Sequence, residues 1–345
     1  MIGEPATVMS VAEAEDFALR ILRGNGLADR QAEPIARAIA LAEAAECPSH
    51  GLYRLIGYVG SIRSGRVNAA AQPRLCRVAG SFLRVDGDSG FAPAAHATGA
   101  SALIEAARSN GIAALALTNC HHFSALWHDL DPIVEAGLAC WAFTVGQCIV
   151  VPHGGTRRLM GTNPIAFGWP RSGEKPFVFD FATSAAARGQ VELMGRAGKA
   201  LPEGWAIDAS GRPTPDPAEA LAGALLPFGG YKGSALSMMV ELLAGPLIGE
   251  PTSREAAALD NGDGGPPPGG ELLIAVDPAI FNFGLADDWQ QRAKAFFAEA
   301  RKQPGVRLPS DRRYAAIQRS ERHGISVPSA LLEELKKLSP VVGTA

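Results

Sequence analysis

Apolar residues recur at helical spacing through the first seventy positions. Ala14, Phe17, Ala18, Ile21 and Leu22 form one stripe, and Ile35, Ile39 and Ala42 form a second. Ser10-Val11-Ala12-Glu13 has the form of a capping box ahead of the first helix, and Gly24 and Gly26 stop it. A second helix is expected after Asp29, with Pro34 tolerated in or near its first turn. A third is expected from about His50 to Ser64, ended by Gly65. Beyond Pro73 the period shortens to strand-like runs, clearest at Ile112 to Leu117, Leu138 to Val145, Pro176 to Phe181 and Leu272 to Val276. The nearly all-apolar stretch from Lys232 to Ile248, with Met238, Met239, Leu242 and Leu243, predicts a helix buried on most sides. Helices are expected again near Trp289 to Lys302, Asp311 to Ser320 and Ser329 to Leu338. Residues 260–270, rich in Gly, Pro and Asp, predict a mobile surface loop, with an active-site lid as the functional alternative.

Composition narrows the class. A chain of 345 residues is long for one core and invites two lobes. With 47% hydrophobic and 19% charged residues it is a globular chain, and a net charge of −3 leaves no footprint for nucleic acid. Met1-Ile2-Gly3-Glu4-Pro5 has no basic region followed by an apolar one, and no stretch reaches the roughly 18 apolar residues of a membrane span. A cytoplasmic protein with no membrane partner is expected. Cys47, Cys76, Cys120, Cys140 and Cys148 are scattered and contain no CxxC pair, so neither a disulfide framework nor a metal site is expected.

The chemistry-bearing segments are polar groups set in apolar surroundings. Ser49 and His50 precede a helix, and Arg54 lies one turn on; Ser49 could orient the imidazole and Arg54 could grip a carboxylate. Asn119 to Ser124 follow a buried strand directly. Gly161-Thr162-Asn163-Pro164 offers a hydroxyl and an amide on a tight backbone. Arg188-Gly189-Gln190 and the Arg307 to Arg313 segment add cations, and Lys232 heads the apolar helix, where burial would demand an anionic partner. A GxGxxG fingerprint between strand and helix is missing.

In order along residues 8–320, these segments resemble the malate/L-lactate dehydrogenase family of non-Rossmann, nicotinamide-dependent oxidoreductases. The resemblance rests on Ser49-His50-Gly51 with Arg54, Asn119 with His122-Phe123, Ala125-Leu126-Trp127, the run from Gly161 to Pro170, Ala187-Arg188-Gly189, and the run from Pro227 to Gly233. Within the family it is nearest to the branch that reduces Δ1-piperideine-2-carboxylate and Δ1-pyrroline-2-carboxylate. It implies an α/β, L-sulfolactate/malate dehydrogenase-like fold, with a largely antiparallel cofactor-binding sheet and a helical lobe from both termini. The implied parts are a helical segment over 8–74, a cofactor and substrate domain over 75–286, and helices over 287–340 packing with the N-terminal lobe. It also implies a homodimer, NADPH as cofactor with NADH possible, and no metal.

The roles it implies are a charge-relay pair in Ser49 and His50, carboxylate holders in Arg54 and Thr162, and further substrate contacts in Arg188 and Gly189. His122, Phe123, Ser124, Ala125, Leu126, Asp180, Phe181, Ala182, Lys232, Arg307, Leu308, Pro309, Ser310, Asp311, Arg312 and Arg313 are the implied cofactor cradle. Where the imine reductases look as though they carry an acidic proton donor, this chain has Gln190, an amide that hydrogen-bonds but supplies no acid. The alternative is a 2-keto acid reductase with His122 as proton donor. A hydrolase built on Ser49 and His50 is disfavoured, because side chains of neighbouring residues rarely meet as nucleophile and base and no GxSxG is present.

Overall fold

The computed structural model describes residues 6–286 and 288–339; Met1 to Pro5 and the expected boundary residues 287 and 340 lie outside them. The chain runs β1(Ala6–Met9), α1(Val11–Gly24), α2(Asp29–Ala44), two 3-10 turns at Pro48–His50 and Leu52–Arg54, α3(Leu55–Arg63), β2(Arg74–Ala79), β3(Phe82–Phe91), α4(Ala92–Asn110), β4(Ile112–His121), α5(Leu126–Glu135) and β5(Ala139–Thr144). It continues through β6(Ile165–Trp169), β7(Phe177–Phe181), α6(Arg188–Arg196), β8(Ala206–Ile207), α7(Pro217–Ala222), β9(Ala224–Leu225), α8(Tyr231–Ala244), α9(Ser253–Ala258), β10(Glu271–Val276), α10(Pro278–Phe281), α11(Trp289–Lys302), α12(Asp311–His323), β11(Ile325–Pro328) and α13(Ser329–Lys336).

One seven-stranded sheet, ordered β2-β3-β4-β10-β5-β6-β7, carries the middle of the chain. Every neighbouring pair is antiparallel except β3 with β4, which is parallel and joined through α4. This is the expected largely antiparallel α/β sheet. Leu115, Leu117, Cys140, Ala166 and Leu273 from the sheet pack with Leu103 of α4 and with Leu130 and Ile133 of α5 in the main core. A second core joins the two ends of the chain. Ile21, Leu22, Ile35 and Ile39 of α1 and α2 pack with Ile325, Val327, Leu332 and Leu335 from β11 and α13, and β1 pairs antiparallel with β11.

Three expectations change. The third helix is broken: Gly51 separates two 3-10 turns, and regular helix begins only at Leu55. The 260–270 loop is tethered by Arg66, which pairs with Asp263 at 2.5 Å and Asp260 at 3.3 Å, while Ser64 donates to Asp263 at 2.8 Å. Gly269 N-H also donates to Cys120 O at 3.0 Å, so buried ion pairs outweigh the flexibility that composition suggests. Helix α8 is not buried on most sides, since Tyr231, Met238 and Leu242 stand exposed along it, Leu242 at 63%. No helix among the described residues is long and apolar enough to cross a membrane.

Candidate active site

A cleft of about 1000 Å³ opens between the first 3-10 turn, the start of α5, β7, α6 and the loop leading into α12. Ser49, His50, Ser124, Ala125, Leu126, Thr162, Asp180, Phe181, Ala182 and Gln190 line it, together with Arg307, Leu308, Pro309, Ser310, Arg312 and Arg313. Segments separated by more than 250 residues therefore meet in one cavity. Arg54, His122, Phe123, Arg188 and Gly189 sit behind this lining rather than in it, as the contacts below define.

At the closed end, Ser49 Oγ lies 3.1 Å from His50 Nδ1. The tight turn folds both side chains together, so adjacent residues do meet here, contrary to expectation. Burial, then the positive charges of Arg54 and His122, push the His50 pKa down to about 3, which makes it a neutral imidazole. Gly51 allows the turn to pack, because a Cβ there would overlap the Glu43 carboxylate. That carboxylate is spent on the Leu52 N-H at 2.7 Å.

Arg54 carries its guanidinium 4.3 Å above the Phe123 ring, and its Nε is buried without a hydrogen-bond partner among the described residues. A Cβ at Gly189 would sit 2.7 Å from Arg54 Nη2 and 3.3 Å from Ser49 Cβ, so glycine at 189 is what lets α6 approach this corner. Arg188 is held beside it by Glu192, with Nε and Oε1 2.8 Å apart, and Tyr53 OH donates to the other Glu192 oxygen at 3.2 Å. A buried cation lacking a partner costs several kcal/mol unless an anion completes it. The corner is thus built for a carboxylate.

Thr162 is presented by a locked loop. Thr183 N-H donates to its carbonyl at 2.8 Å. Asn163, at φ 38°, turns its amide inward to Ser237 Oγ at 3.0 Å and Glu241 at 2.8 Å, and its Oδ1 accepts from Gly146 N-H at 2.9 Å. The Asn163 amide expected to face a ligand is consumed by the fold, leaving only the Thr162 hydroxyl at the cleft.

The open end is cationic and aromatic. Ser310, left-handed at φ 72°, accepts from Val178 N-H at 2.9 Å and donates to Val178 O at 2.6 Å, which fastens the 307–313 segment to β7. Arg313 stacks 4.5 Å over Trp127, and Arg307, Arg312 and Arg313 make no ion pair among the described residues. Asp311 instead locks the segment, accepting from Leu308 N-H at 3.1 Å and pairing with Arg301 at 3.0 Å. Asp180 accepts the Trp127 N-H at 3.1 Å at the first turn of α5, and burial raises its pKa to about 6. Phe181, 44% exposed, stacks on Phe179 at 4.9 Å and offers a flat apolar face.

One placement departs from the sequence reading. Lys232 is exposed on the first turn of α8 and does not line the cleft. The argument that burial would demand an anion for it fails, because that turn is not buried. Sequence reasoning also missed Lys199, Trp127, Asp129 and Glu271. Lys199 and Trp127 line the cleft, while Asp129 and Glu271 flank His122 in the interior. Trp127 alone had a signal, as part of the Ala125-Leu126-Trp127 motif. Among the described residues, His122, Asp129 and Glu271 are the group whose donor atoms, all within 4.8 Å of one another, could span a cation.

The sequence profile described as malate/L-lactate dehydrogenase matches residues 9–336. A Δ1-pyrroline-2-carboxylate reductase of Ancylobacter novellus is 60% identical over 332 residues, covering 96% of this chain and 97% of that protein. The Δ1-pyrroline-2-carboxylate/Δ1-piperideine-2-carboxylate reductase of Pseudomonas aeruginosa is 48% identical, covering 96% and 98%. The crystal structure of Δ1-piperideine-2-carboxylate reductase from Pseudomonas syringae pv. tomato superposes with a TM-score of 0.90 at 43% identity, covering 96% of this chain and 99% of that one.

Proposed function

The chain belongs to the malate/L-lactate dehydrogenase family, and from that premise we infer that it reduces a cyclic imine carboxylate, Δ1-pyrroline-2-carboxylate or Δ1-piperideine-2-carboxylate, to L-proline or L-pipecolate. The reading rests on one observation in the site: a buried guanidinium, Arg54, lacks an anionic partner beside a neutral imidazole. A nicotinamide cofactor, when bound, supplies the hydride.

The cleft suits such a cofactor. Its volume is at the upper end of the roughly 300–1,000 Å³ typical of ligand sites, large enough for a dinucleotide beside a small acid. The unpaired Arg307, Arg312 and Arg313 match phosphates, and the exposed face of Phe181 matches a flat ring. Arg312 and Arg313, both lining the cleft at the N-terminus of α12, favour the additional phosphate of NADPH over NADH.

Arg54 and the Thr162 hydroxyl hold the substrate carboxylate, with Arg188 adding positive potential behind it. This fixes the position of C2, and orientation is the main catalytic gain available from such a clamp. Gly189 keeps the clamp in place. Ser49 orients His50, which remains neutral and available for hydrogen bonding to the ring nitrogen. Gln190 contributes an amide to the wall but no proton.

Assembly as a homodimer accounts for the exposed stripe of Tyr231, Met238 and Leu242 on α8, which a second copy would cover. All five cysteines are free, which suits a reducing cytoplasm. The experiment that tests the activity is isotopic. Reduction with cofactor carrying deuterium at the transferable position of nicotinamide C4 is expected to place one deuterium on Cα of L-proline; product without label there would overturn hydride transfer to C2.

A further inference from the structure

His122 directly follows β4, Asp129 lies in α5 and Glu271 opens β10, so three elements converge on one interior point. His122 Nε2 is 3.5 Å from Asp129 Oδ2 and 3.3 Å from Glu271 Oε2, and the three side chains are 5%, 3% and 0% exposed. Apart from His122, neither Glu271 oxygen has a partner among the described residues. Two carboxylates buried this close would repel each other and lose hydration with nothing in return. An imidazolium between them removes that penalty, whereas a neutral ring satisfies at most one of them.

We propose that Asp129 and Glu271 are positioning residues that clamp His122 at Nε2 and hold it protonated as the acid of the site, beside the neutral base His50. The inference rests on the imine-reductase reading above and answers the question that Gln190 leaves, namely where the proton comes from. Reducing a neutral cyclic imine requires hydride at C2 and a proton at the ring nitrogen. The reduced nicotinamide accounts for the first. His122 gives up the second, the C=N π pair becomes the new N-H bond, and the neutral His122 regains a proton from water after the product leaves.

Electrostatics point the same way. Burial opposes charge on His122, but the hydrogen-bonding carboxylates of Asp129 and Glu271 outweigh it and raise its pKa to about 10, while His50 is driven to about 3. Two imidazoles pushed apart in this manner divide into an acid and a base. The other groups facing the clamp are Asp180 from β7, and His96 from α4 and His128 from α5 beyond Asp129. His96 Nδ1 stands 4.0 Å from Asp129 Oδ1, too far for a hydrogen bond.

The test reads His122 directly. Imidazole nitrogen NMR on the full-length protein without substrate, assigned with His122→Gln, is expected to find the ring still protonated above about pH 9. In Asp129→Asn and Glu271→Gln the titration and the basic limb of the kcat profile should both move acidward by about one unit or more. KM for the imine should stay within about threefold, and Gln190→Glu added to Asp129→Asn should restore part of the lost kcat, since it supplies a replacement acid. Titration of wild-type His122 below about pH 7, or a limb unmoved in both folded variants, would overturn the proposal. Stoichiometric metal in the purified protein would also overturn it, with a cation then filling the clamp. The NMR titration needs no turnover, so the clamp could hold even if the substrate assignment failed. Where a variant does not fold, the wild-type titration decides.

Discussion

Replacing Arg54 with alanine is expected to lower kcat/KM for the cyclic imine by about two to three orders of magnitude, with most of the loss in KM. The guanidinium lies over Phe123 with Nε buried and unpartnered, and Gly189 holds α6 against its Nη2 side. A bound carboxylate would complete a charge-assisted, bidentate contact, each hydrogen bond of which contributes about 1.5–3 kcal/mol. Arg54→Lys should recover little, because an ammonium lacks the planar fork. Thermal unfolding of Arg54→Ala should be unchanged or raised, since the substitution removes a buried charge that the ligand-free protein leaves without a partner. A drop in kcat/KM of less than about tenfold would mean that the substrate carboxylate binds elsewhere.

The second large effect concerns the cofactor. Arg312 and Arg313 line the open end of the cleft, held there by Ser310 fastened to Val178 and by Asp311 accepting the Leu308 N-H. Removing both charges in Arg312→Ser/Arg313→Ser should raise KM for NADPH by about 100-fold and alter KM for NADH by less than about threefold, two charge-assisted phosphate contacts being worth that much. Because Arg313 also stacks on Trp127, the single Arg313→Lys variant is expected to lose part of this effect and to perturb the indole fluorescence. Fluorescence titration with each cofactor measures both outcomes. Equal losses for NADPH and NADH would assign these arginines to the shared pyrophosphate instead.

Periodicity was enough to place α1, α2, the central strands and the C-terminal helices, because each buries one face and so repeats its apolar residues at its own period. It failed where local and tertiary demands conflict. The break at Gly51 depends on the Glu43 carboxylate packing against it from α2, a contact with no local trace. The 260–270 loop reads as unstructured from its Gly and Pro content, yet Arg66, nearly 200 residues away in sequence, pins it. Leu242 and Met238 read as core, and nothing in the period of α8 distinguishes a face buried in the monomer from one left exposed.

The site divides the same way. Ser49, His50, Arg54, Thr162 and the arginine segment stand out as polar groups in apolar runs, and the order in which they occur carries the family resemblance. Asp129 and Glu271 carry no such signal. Asp129 reads as an ordinary helix position, and Glu271 precedes the strand Leu272 to Val276 as a loop acid would. Only the antiparallel pairing of β10 between β4 and β5 brings Glu271 to the interior against His122.

The central claim is that a clamped carboxylate beside a neutral imidazole presents an imine carbon, rather than a keto carbon, for reduction. Initial rates with Δ1-pyrroline-2-carboxylate, Δ1-piperideine-2-carboxylate, pyruvate and oxaloacetate, followed side by side by nicotinamide absorbance, test it most directly. The account predicts that at least one imine exceeds both keto acids in kcat/KM by about 100-fold or more, a difference of roughly 2.7 kcal/mol in transition-state binding. Equal or greater efficiency with pyruvate or oxaloacetate would contradict it.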